Sequence, residues 1–81
     1  MEKKHNPADF EIKFTKRGYS QHVYSVKKIN KNAQWPNTDE LLKICDDGWD
    51  EFFADKPPCH FGGQVEIDNN NDTALVTVYI D

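Results

Sequence analysis

Thr73-Ala74-Leu75-Val76-Thr77-Val78-Tyr79-Ile80 is the stretch whose reading decides the fold. β-branched and aromatic side chains fit a pleated surface better than a helix, and this is the most β-prone run in the chain. In an extended backbone Ala74, Val76, Val78 and Ile80 point one way, and Leu75, Thr77 and Tyr79 the other. Both sides are largely apolar, which predicts a strand inside a sheet or one covered on two faces. Working back, Asn69-Asn70-Asn71-Asp72 has the composition of a hairpin loop. Its partner strand is Gln64 to Asp68, with Val65 and Ile67 on one face. Gly62-Gly63 leads into that strand and marks a bulge or a close backbone approach.

A second hairpin is expected near the N-terminus. Phe10, Ile12 and Phe14 recur at period two around Glu11 and Lys13, the pattern of a strand with one wet face. Arg17-Gly18-Tyr19-Ser20 supplies the turn, with Gly18 free to take a positive φ. The next strand, Gln21 to Ile29, is less regular because Val23-Tyr24 breaks the alternation. Either Tyr24 and Val26 face the core, or a bulge shifts the register. Residues 30–37 read as a loop. Asn37 then caps a helix of about ten residues, with Glu40 at the third position completing a capping box and Gly48 as the stop. Leu41, Leu42, Ile44 and Cys45 form its apolar face, and Asp50 to Ala54 has room for one more turn before Pro57-Pro58. The expectation is an α+β fold in ββαββ order, a four-stranded antiparallel sheet with one main helix.

Eighty-one residues suffice for one domain. Residues 1–9 are polar, contain Pro7 and read as a flexible tail, leaving 10–81 as the domain. The tail lacks the apolar core of a secretory signal, and no run approaches the roughly 18 apolar residues of a membrane span. A cytoplasmic protein without membrane contact is expected, with Cys45 and Cys59 as free thiols.

Charge is sorted along the chain. Residues 1–32 carry eight Lys/Arg against three acids, and residues 33–81 two against eleven, so the halves stand at +5 and −9. Such asymmetry bears on partners and association rates rather than on fold. Cys45 to Asp55 packs five acids and three large aromatics into eleven residues. Asp46 and Asp47 fall near the helix C-terminus, where each negative charge costs about 0.3–1 kcal/mol against the helix dipole. A locally unfavourable choice points to a role in function. Asp46, Asp47, Trp49, Asp50 and Glu51 are therefore the candidate partner-binding residues. The acids would steer and pair with Arg/Lys, and Trp49 would anchor. Buried aromatics flanked by solvated acids would explain the same composition.

The basic half offers a competing site. Lys16, Arg17, Lys27 and Lys28, with aromatic neighbours, would grip phosphates and stack on bases. The acidic total charge argues against it, and lysines on edge strands also serve to block edge pairing. No cofactor or metal is expected. Cys45, Cys59 and His60 lack the paired spacing of a zinc site, and Cys59-His60 are adjacent. Asp68-Asn69-Asn70-Asn71-Asp72 begins like a calcium loop but has Thr73 and Tyr79 where Gly and Glu belong. Fourteen scattered carboxylates define no acid–base pair, so catalysis is not expected. The sequence favours a small non-catalytic interaction module docking on a protein with a basic surface. One concrete form is an inhibitor or accessory protein encoded by a phage or mobile element. A nucleic-acid-binding module and a sheet-mediated homo-oligomer are the alternatives.

Overall fold

The computed structural model describes residues 5–80. Strands β1 (Phe10–Arg17) and β2 (Gln21–Lys28) form one hairpin, and β3 (Gly63–Asp68) and β4 (Thr73–Tyr79) the other; between them lie helices α1 (Thr38–Asp47) and α2 (Trp49–Phe53). All neighbours pair antiparallel in the order β1-β2-β4-β3. β4 lies inside the sheet, and Ala74, Val76 and Val78 are its buried side.

The four-stranded antiparallel sheet with one main helix is as expected, but the ββαββ order is corrected to β1-β2-α1-α2-β3-β4, because the turn after α1 is a separate short helix. Gly48, at φ 93° and ψ 167°, breaks α1 and begins α2 at once. An L-residue resists that φ, so glycine sets the corner between the helices. The start of α1 follows from Asn37, whose side chain accepts the Glu40 N–H at 2.8 Å. The Glu40 carboxylate in turn accepts the Asn37 N–H at 3.0 Å, which satisfies two otherwise orphaned donors.

In β2, Val26 is buried and Tyr24 packs against the core. The register irregularity belongs to β1 instead, where Thr15 is extra between Phe14 and Lys16. Thr15 Oγ1 donates to the Val23 carbonyl at 2.9 Å and so ties the bulge down. Gly18 does not take a positive φ; its N–H closes the turn on the Gln21 carbonyl at 2.7 Å.

Of the segment expected to be a tail, residues 1–4 lie outside the described residues. Asn6 caps a 3-10 turn at Pro7–Asp9, and the Asp9 carbonyl accepts the Ile29 N–H at 2.7 Å. His5 lies 3.4 Å from the Glu40 carboxylate and against the Phe52 ring.

The helices occupy one face of the sheet. α1 packs on β3 and β4. Phe10, Trp35 and Trp49 join the core on the β1–β2 side, with Phe10 5.7 Å from the Trp35 ring and 6.2 Å from the Trp49 ring. Val26, Val76, Val78, Leu41, Leu42 and Phe52 are fully buried. Each contributes about 1.5–3 kcal/mol relative to remaining exposed. The molecule is a slab of 35 × 31 × 16 Å.

Gly63 is a close approach both to the neighbouring strand β4 and to α1. A Cβ there would run into the Thr77 carbonyl oxygen and the Leu42 side chain. Gly63→Ala should therefore lower stability by about 1–3 kcal/mol, read as a reduced urea midpoint.

Candidate functional site

The five acidic-segment residues do not share one exposed ridge. Asp46 and Asp47 end α1 with side chains only 15% and 8% exposed. Asp47 is held 3.6 Å from Lys43 one turn back, and it accepts the Cys59 N–H at 3.3 Å. Lys43 also donates to the Lys56 carbonyl, so this corner clamps the loop after α2 onto α1. Asp46 turns toward the sheet, 3.9 Å from His22 Nδ1 on β2. Trp49 is half-buried and packs against the core, edge-on to Phe52.

Asp50 is exposed and Glu51 half-exposed, the latter 3.5 Å from Lys56 Nζ. The exposed aromatic beside them is Phe53, 45% exposed and stacked on Trp49 at 5.6 Å and 25°. The exposed candidates are thus Asp50, Glu51 and Phe53 on α2, with exposed Asp55 two residues beyond Phe53. Phe53 was not singled out from sequence. Helical spacing gives no signal for it: in a five-residue helix residue 53 falls about 100° from Phe52 but only about 40° from Trp49.

Burial holds the Asp46 carboxyl above the ordinary carboxylate range, and the charge on Asp47 adds to the shift; His60 and His22 pull it down. The Tyr24 hydroxyl is raised by burial first and by Asp46 second. Beside this cluster, the loop after α2 and α1 enclose a groove of about 430 Å³ with Lys43, Lys56 and His60 in its wall. His60 Nδ1 accepts the Gly62 N–H at 3.2 Å, while its buried Nε2 has no hydrogen-bond partner. Among the described residues no three His, Cys, Asp or Glu side chains group as metal ligands.

The basic candidates are also separated. Lys16 and Arg17 stand at the turn end of the first hairpin, opposite Val23 and His22. Lys27 and Lys28 stand at its other end, opposite Glu11 and Phe10. Lys28 is 3.8 Å from Asp72 and lies 5.4 Å over the Trp35 ring, so its charge is already engaged. No helix among the described residues is long and apolar enough to cross a membrane.

The two thiols differ in access. Cys45 is buried, with its pKa pushed up to about 12 mainly by that burial, whereas Cys59 is exposed. Iodoacetamide should therefore add one label to the native protein, at Cys59, and a second only after unfolding, as mass spectrometry would show. The raised Asp46 carboxyl means that the folded state holds this proton more tightly than the unfolded chain. Its contribution to stability accordingly falls as pH rises through the carboxylate range and is least favourable at neutral pH. Asp46→Asn should stabilise the protein by about 0.5 kcal/mol at pH 7, with the gain vanishing below about pH 4. Urea melts across that pH range would check it.

A scan against protein-family models matched none, and searches of curated proteins and of solved structures returned no match, leaving function to be inferred from the residues themselves.

Proposed function

We propose that this chain is a non-catalytic protein-interaction module that docks on a basic surface of a larger protein through α2. Exposed Phe53, pinned by stacking on Trp49 with Asp50, Glu51 and Asp55 nearby, is the observation that carries this reading. A large aromatic held in place before binding loses little rotamer freedom on docking, which favours it as a hot spot. The surrounding acids accelerate encounter with Lys/Arg and fix orientation. Asp46 and Asp47 add to the negative field of this end without offering contact area. The −9 charge of residues 33–81 supports a basic partner. An inhibitor or accessory protein working in the reducing cytoplasm, where an exposed Cys59 stays a thiol, fits these features.

The test is capture on the immobilised protein from nuclease-treated lysate of the source cells, followed by kinetics with the partner obtained. Asp50→Lys with Glu51→Lys should slow association about tenfold, most clearly at low salt. Phe53→Ala should weaken affinity about thirtyfold, mostly by faster dissociation. Both variants should keep the wild-type circular dichroism spectrum. Capture that survives the α2 variants would sink the proposal. Retention that disappears with nuclease would move the site to Lys16, Arg17, Lys27 and Lys28.

A further inference from the structure

The helices cover one face of the sheet, and among the described residues nothing covers the other. Its side chains follow from the register. Lys13, Ser25, Leu75 and Glu66 lie abreast across β1, β2, β4 and β3, and Lys16, Val23, Thr77 and Gln64 form the next row. The middle of the face is mixed: Leu75 is 46% exposed with Val23, Thr77 and Tyr79 half-exposed around it, and Ser25 and exposed Lys27 stand on the same side. The Tyr79 hydroxyl is already satisfied by Gln64 Nε2 at 2.7 Å, so it need not stay in water. The flanks carry opposite charge, with Lys13 and Lys16 on the β1 side and Glu66 and Asp68 on β3. Glu11, the acid on the basic flank, is partnered by Lys13 at 3.7 Å and has Lys27 opposite it on β2.

We infer that this open face binds a second copy of the chain, face to face about a two-fold axis parallel to the strands. That axis lays β1 of one copy over β3 of the other and β2 over β4. Lys13 then meets Glu66 of the partner copy and Leu75 its Ser25, each twice by symmetry; Glu11 falls opposite Asp68, but Lys27 beside it keeps the β1–β2 half positive where it lies over the negative β3–β4 half. The alternative in-plane axis, across the strands, sets Lys13 against Lys13 and Glu66 against Glu66 and is rejected by like charge. Charge complementarity thus selects both the occupant and its orientation. Two twisted sheets pack in this way at about 30° and about 10 Å apart. The helices remain on the outside, and the α2 site proposed above stays clear on each copy.

Size sets the strength. Four strands of six to eight residues span a face of roughly 19 by 23 Å. Two such faces bury about 900 Å², below the span of stable specific interfaces and in that of weak ones, so the dissociation constant should lie above about 10 µM. A uniform basic or acidic ligand is disfavoured because half of the face repels it. Pairing through the sheet edge is opposed on β1 by its lysines and its bulge.

Sedimentation equilibrium of the full chain over roughly 5–500 µM tests this, since a dimer of this area populates within that span. The expected result is concentration-dependent growth from 9.4 kDa to twice that mass. Lys13→Glu and Glu66→Lys should each raise the dissociation constant about tenfold, and the two together should restore it to within about threefold. Leu75→Glu should leave the circular dichroism unchanged and abolish association. A chain that stays monomeric at the highest concentration would overturn the inference. So would a dimer that ignores Leu75→Glu, the sign of edge pairing, or single variants that the double variant fails to rescue.

Discussion

One α-helix, about 10 Å across, cannot cover four strands that span about 19 Å. The rest of the molecule is organised around that mismatch. α1 is seated off-centre on β3 and β4, where Gly63 lets Leu42 and the Thr77 backbone approach without an intervening Cβ. Phe10, Trp35 and Trp49 finish the roof over the first hairpin with rings rather than with a second long helix. Few residues offer as much apolar area per unit of chain as these, which is how so short a domain closes its core. Recruiting Trp49 for that purpose leaves Phe53 as the exposed aromatic of α2.

The parts legible in the sequence were those whose physics is local. Asn37 and Glu40 satisfy each other within one turn, Gly48 stops α1, and the alternation of Phe10 to Phe14 and of Ala74 to Ile80 fixes which side chains share a face. What stayed hidden depends on which elements oppose one another. Asp46 and Asp47 are exposed or covered according to where β2 and the loop carrying Cys59 lie, and periodicity within α1 carries no information on either. α2 has five residues, too few for its period to show which of its three aromatics faces inward. The bulge at Thr15 has no Gly or Pro to announce it.

The charge sorting acquires a meaning in three dimensions that the linear chain lacks. Strand order β1-β2-β4-β3 puts the basic N-terminal hairpin on one flank of the sheet and the acidic edge strand on the other. A gradient along the sequence thereby becomes a gradient across a surface. At the helix end the same acidity has a local cost, since Asp46 is held partly out of water beside Asp47 and against the α1 dipole.

The pairing of β2 with β4 also constrains how the chain comes into being. Each hairpin closes locally, but Gln21 must find Tyr79 and Lys27 must find Thr73 across the long stretch of chain that carries both helices and β3. β4 leaves the ribosome after β1, β2 and β3. Until it arrives, the inner edge of β2 has unpaired backbone groups and Val26 has no core to enter. A nascent chain held at the length of α2 therefore presents a half-finished sheet, the interval in which a chaperone or a protease has most access to it. Closure of the sheet is a non-local step, the kind whose loop-closure entropy slows folding.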